Sequence, residues 1–111
     1  EIYQLYEVET EPQFILGNDS LRQIITSNFK RVKRAPMQGK IPVVVDVLID
    51  KHGIAKLIGI RKSSGDTVID EEALKVAKII CQYKFIPATH RGETVETIFP
   101  IMFLDNDVKA K

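Results

Sequence analysis

The sequence predicts an α+β fold, with two helices packed on one face of a three-stranded antiparallel sheet and a short extra N-terminal strand or linker end before it. Three observations lead there. Val43 to Ile49 alternates with strand period and stops at Asp50-Lys51-His52-Gly53, the mark of a strand entering a hairpin. Ala73, Leu74, Val76, Ala77, Ile80 and Cys81 recur at helical spacing behind the acidic opening Asp70-Glu71-Glu72. Val95, Thr97, Phe99, Ile101 and Phe103 then alternate along a final strand.

In chain order, Ile2 to Val8 holds β-prone residues with imperfect alternation and reads as a short edge strand or as the end of a linker. Gly17-Asn18-Asp19-Ser20 offers overlapping helix starts: Asn18 can cap, and Ser20 with Gln23 fits a capping box. Leu21, Ile24, Ile25 and Phe29 form one apolar stripe, and Pro36 and Gly39 end the helical tendency. Val43, Val45, Val47 and Ile49 share the strand face expected to meet the helices, with Val44, Asp46, Leu48 and Asp50 on the other, mixed one. Gly53 is free to take a positive φ, so Ile54 to Lys62 returns antiparallel. Ser63 to Thr67 reads as a polar loop, Asp70 as the cap of the second helix, and Pro87 to Gly92 as a loop. Residues 105–111 read as a charged tail prone to fraying.

The 111 residues suffice for one domain with one core, and 44% hydrophobic with 28% charged residues is an ordinary globular balance. A formal net charge of +1 gives no global field, so electrostatic recognition must come from local clusters. One exists at Lys30, Arg31, Lys33 and Arg34, with Lys40 beyond. It reads first as a solvated face and second as a contact with a cell-wall polymer or another anionic surface. Nucleic acid is not expected there, since only Phe29 is near and it belongs to the apolar stripe. The longest apolar runs, Ile41 to Ile49 and Ile98 to Leu104, fall far short of the roughly 20 residues that cross a bilayer. The chain opens on Glu1 without a signal pattern, which suggests a piece whose upstream part holds an anchor.

Searches for catalytic chemistry come back thin. There is no nucleophile elbow, no paired-histidine helix and no phosphate-binding glycine loop. Cys81 is alone, so it can form no internal disulfide or cysteine cage, and its spacing from Leu74 and Ala77 puts it on the buried helix face. His52 and His90 read as solvated loop residues, and Asp70, Glu71 and Glu72 fan around a helix axis rather than converge on a cation. No enzyme activity, cofactor or metal is therefore expected. What remains is backbone: a sheet edge presents unpaired N–H and C=O groups that a partner segment can satisfy by adding a strand.

The order of these segments resembles the C-terminal domain of TonB-type energy transducers, in the form with an N-terminal Pro-Gln-Phe segment. The matching features are Pro12-Gln13-Phe14 before Gly17, Val43-x-Val45-x-Val47-x-Ile49 ending at Gly53, Ile69 to Leu74, and Tyr83-x-Phe85-x-Pro87 followed by Gly92. Two features depart from it: Phe29-Lys30 stands where the family has a Tyr-Pro pair, and Gly39 lies about two residues early. The resemblance implies a periplasmic domain, anchored to the inner membrane in its full-length protein. It would engage the TonB box of a TonB-dependent outer-membrane transporter and transmit energy from the ExbB and ExbD motor. Carried onto this chain, it places the partner strand beside Glu93 to Met102, centred on Val95, Glu96, Thr97, Ile98 and Phe99. A second reading keeps the fold as an interaction or sensory module of a membrane receptor or peptidase. Which nutrient or transporter is served, and the oligomeric state, are not written in the sequence.

Overall fold

In a computed structural model of the chain, which describes residues 1–29 and 43–103, the final alternating segment forms an 11-residue strand against which most of the sheet is assembled. The elements run β1 (Ile2–Tyr3), a 3-10 turn (Leu5–Glu7), β2 (Gln13–Phe14), α1 (Asn18–Asn28), β3 (Val43–Ile49), β4 (Ala55–Lys62), α2 (Thr67–Ile80), β5 (Phe85–Ile86), β6 (Ala88–His90) and β7 (Glu93–Phe103). The main sheet follows the order β1-β7-β3-β4, and β6 also pairs with β7. β3 runs antiparallel to both β4 and β7, whereas β1 joins β7 in parallel. A separate two-stranded ribbon pairs β2 with β5.

The fold is thus α+β with two helices, but the sheet is mixed and five-stranded, larger than the three-stranded antiparallel sheet expected. β1 falls where a short N-terminal strand or linker end is expected, whereas β6, at three residues, is too short to show any alternation in sequence. β6 lies inside the segment expected as the Pro87 to Gly92 loop, and the Arg91-Gly92 turn, with φ of 55° and 78°, closes a tight hairpin onto β7.

The hairpin at Asp50 to Gly53 forms as its residues dictate. An Asp50 carboxylate oxygen accepts from the His52 and Ile54 amides at 2.8 and 2.9 Å, and Gly53 sits at φ 84°. Space also demands glycine there: a Cβ on Gly53 would lie 2.0 Å from the carbonyl oxygen of Phe85, whose N–H donates to the Gly53 carbonyl at 2.9 Å.

Val43, Val45, Val47 and Ile49 are fully buried against α2 and join Ile101 and Phe103 of β7 in one core. Each such side chain contributes about 1.5–3 kcal/mol by leaving water. Ala73 and Ala77, also fully buried, let α2 lie close on the sheet, while Leu21 and Ile25 of α1 reach the same core with Ile24 and Phe29 beside them. Cys81 is half-buried at the end of α2, and burial pushes its thiol pKa up.

Both helix starts differ from expectation. α1 is capped by Gly17, so Asn18 is already helical. α2 begins a turn early, with the Asp66 side chain accepting from the Val68 amide at 2.9 Å. Asp70 instead fastens the preceding loop, accepting from the Ser64 amide at 2.9 Å, from the Ser64 hydroxyl at 2.7 Å and from the Ser63 hydroxyl. The basic cluster Lys30, Arg31, Lys33 and Arg34, with Lys40, and the charged tail 105–111 lie outside the described residues.

Candidate partner-strand site

The five residues singled out on the last strand do not share one environment. Val95 pairs with Ala88 of β6, and Glu96 with Ile2 of β1. Thr97 is paired on both flanks, with Tyr3 on one and Ile49 on the other. Ile98 and Phe99 pair with Leu48 and Val47 of β3, and among the described residues no strand covers their opposite flank. On the flank away from β3, β1 therefore already lies on Glu96 and Thr97, and among the described residues no strand is laid from Ile98 onward. The Ile2 to Val8 segment, read as strand or linker, supplies the cover.

Which backbone groups that open flank presents follows from one residue. Pro100 stands opposite Asp46 and has no N–H, so this pair belongs to the non-hydrogen-bonded class of the β3–β7 ladder. Alternation then turns the backbone groups of Thr97, Phe99 and Ile101 toward β3, and those of Glu96, Ile98, Pro100 and Met102 outward. Arg22 of α1 fits this assignment, since its guanidinium donates to the Met102 carbonyl at 2.7 Å. The Ile98 N–H and C=O and the Pro100 C=O are left between β1 on one side and Arg22 on the other.

Beside this flank the surface is concave. A cleft of about 420 Å³ is lined by Pro12, Phe14, Gly17, Asn18, Leu21 and Phe99. A shallower one of about 230 Å³ continues from Asn18, Leu21 and Phe99 to Arg22, Pro100 and Met102. Phe99 is held by an edge-on contact with Phe85 at 5.4 Å between ring centres, and Phe85 by a similar contact with Phe14 at 5.3 Å. The Pro-Gln-Phe segment thus builds one wall of the concavity. Sequence reasoning did not mark Arg22, which sits on a helix face with no distinguishing pattern.

On the opposite sheet face, Asp46 accepts from Nε of Arg61 through both oxygens at 2.9 Å, and Arg61 donates onward to the Gln4 side chain at 3.3 Å. Two buried polar atoms near β1, Nδ1 of His90 and Oγ1 of Thr97, have no hydrogen-bond partner. His90, expected in a solvated loop, is in β6 with its ring 5.2 Å from that of Tyr3, while His52 is exposed in the β3–β4 turn. The bonds from Ile54 and His52 hold the Asp50 carboxyl below the usual aspartate range. At Asp70, burial acts to raise the value, but the serine bonds outweigh it and the net shift is downward. Neither group faces the open flank of β7. Among the described residues no cluster of three or more His, Cys, Asp or Glu is placed to hold a metal, and no helix is long and apolar enough to cross a membrane.

An open strand flank beside an aromatic-walled cleft, on a small α+β domain, is a geometry to which an extended segment can add as a further strand. The family model of the Gram-negative bacterial TonB protein C-terminal matches residues 30–104, and the chain belongs to that family. Its members are non-enzymatic protein-interaction domains, periplasmic in Gram-negative bacteria, and the family implies interaction with outer-membrane transporters. No curated protein and no solved structure matches the chain. The family match takes in β3 through β7 but leaves out β1, β2 and α1, the elements that cover and wall the β7 flank.

Proposed function

We propose that this domain binds an extended segment of an outer-membrane transporter by strand addition to β7, and passes to it the work of an inner-membrane motor of the ExbB and ExbD kind. The observation that carries this reading is the outward flank from Ile98 to Met102, where backbone groups face away from β3 and no strand is laid on them among the described residues. Val95 to Thr97 complete the partner site when the edge there is exposed. Family membership supports the same role.

Binding would rest on main-chain hydrogen bonds, with alternate side chains entering the Phe99 cleft. A strand this short buries far less than the about 1,600 Å² of a standard interface, so resting affinity is modest and release follows each cycle. A pull along the partner loads β7 lengthwise, and the β3–β7 ladder, registered from Val43↔Phe103 to Ile49↔Thr97, carries that load in shear. The chemistry asks for no nucleophile, base or metal.

The test is an amide-shift titration with peptides spanning the TonB boxes of outer-membrane transporters. Shifts concentrated on Val95 to Met102 are expected. Shifts confined to the Lys30 to Arg34 cluster, with β7 unmoved, would refute the assignment. One observation favours the second reading, an interaction or sensory module without a transport role: β1 and Arg22 already hold part of the edge. If no TonB-box peptide moves any β7 amide, that reading stands instead.

A further inference from the structure

The N-terminal segment is fastened very unevenly. From Glu9 onward it is tied in: Thr10 and Thr89 exchange both backbone hydrogen bonds at 3.1 and 3.0 Å, the Glu9 carboxylate accepts from the Arg91 amide at 2.9 Å, and the Ile15 amide donates to the Lys84 carbonyl at 3.1 Å. Pro12 and Phe14 are buried. Ahead of Glu9 the hold is slight. β1 has two residues, Ile2 is 51% exposed, and the Gln4 side chain reaches the domain through one 3.3 Å bond to Arg61. Near β1, Oγ1 of Thr97 and Nδ1 of His90 are buried without hydrogen-bond partners, an unfavourable state for polar atoms. This two-residue strand nevertheless lies on Glu96 and Thr97, in the middle of the proposed docking edge.

We propose that β1 is a resident, exchangeable occupant of that edge: Ile2–Tyr3 leaves β7 when a partner strand arrives, while Glu9 to Phe14 stays fastened and keeps its wall of the cleft. The inference rests on the docking reading above and adds its regulation. An arriving strand has three advantages over β1. It can run on past Thr97 to the Ile98 and Pro100 groups, which β1 does not reach. It can bring polar side chains to His90 and Thr97. It replaces a pairing whose loss costs two register positions only. The affinity measured for any partner is then its intrinsic affinity divided by the cost of lifting β1, which makes the N-terminal residues a gain setting on the site.

The test uses one polypeptide in two states. Ile2 and Glu96 are direct cross-strand neighbours, so the Ile2→Cys, Glu96→Cys double variant in a Cys81→Ala background can be locked by a disulfide and freed by reduction. With a TonB-box peptide as probe, the reduced form is expected to shift the amides of Ile98 to Met102, and the oxidised form to bind at least about tenfold more weakly. Equal binding by both forms at those amides would overturn the exchange and leave the docking reading intact. No β7 shift in the reduced form or in the parent chain would overturn the docking reading and the exchange with it. A second readout needs no peptide: in the parent chain the Glu96 N–H, under β1, should exchange with solvent roughly a hundredfold faster than the Phe99 and Ile101 amides, which face β3. Equal protection would show β1 to be an integral strand and defeat the proposal.

Discussion

The two flanks of β7 are built to opposite standards. Against β3 the strand is registered over seven consecutive pairs, and its inward side chains Thr97, Ile101 and Phe103 are almost wholly removed from water. On the other flank it meets a two-residue parallel strand, an arginine side chain and otherwise open backbone. Hydrogen bonds alone do not separate the two, since both flanks have them. The difference is apolar burial behind the bonds, which makes one flank cooperative with the whole core and leaves the other able to open locally.

Neighbouring prolines provide the sharpest way to break this contrast. Thr97→Pro places a ring at a fully buried position and removes an N–H aimed at β3, so a loss of about 3 kcal/mol or more is expected, seen as a collapsed urea midpoint or no cooperative transition at all. Gly53→Ala attacks the same flank from its turn, driving a Cβ onto the Phe85 carbonyl at a positive φ; a cost of about 2–3 kcal/mol should appear as a lower midpoint with an unchanged m-value. Ile98→Pro removes an outward N–H instead, so a cost under about 1.5 kcal/mol is expected, together with loss of the TonB-box peptide shifts. Equal damage from the two prolines would show that the alternation assigned here is wrong.

The smallest expected effect concerns acid. Asp50 and Asp70 both titrate below the ordinary aspartate value of 3.8 in the folded chain. Their contribution is therefore present above that value and is lost as pH falls through the lower folded values. Urea midpoints should hold down to about pH 4 and decline below it. Asp70→Asn should flatten the decline more than Asp50→Asn, because only Asp70 ties a buried side chain, that of Ser64, to a helix. Peptide binding at the β7 flank should not follow the same curve, since neither carboxylate faces it.

The β3–β4 hairpin, the core face of β3 and the alternation of β7 were legible because each spreads one signal over seven or more residues. Asp70 was misread as a cap because Asp66 sits one turn earlier in a Ser-Ser-Gly stretch that looks like loop, and both are residues that helices accept at their start. That the last alternating segment forms a strand was legible, whereas the strand lying on one of its flanks was not. Nothing in Ile2 and Tyr3 announces a parallel partner 94 residues away, because a two-residue pairing carries no period. Arg22 was missed for a similar reason: its role depends on the carbonyl that α1 happens to pass.

Pro100 has a consequence for any visiting chain. Without an amide hydrogen there, the flank offers a carbonyl that the visitor can satisfy and nothing for the visitor's own carbonyl, so the zipper meets a missing tooth two residues beyond Ile98. The grip is capped in length by the host, whatever the guest's sequence. A coupling that must be made and broken repeatedly gains from that ceiling, because no guest can bind by main chain alone too firmly to be let go.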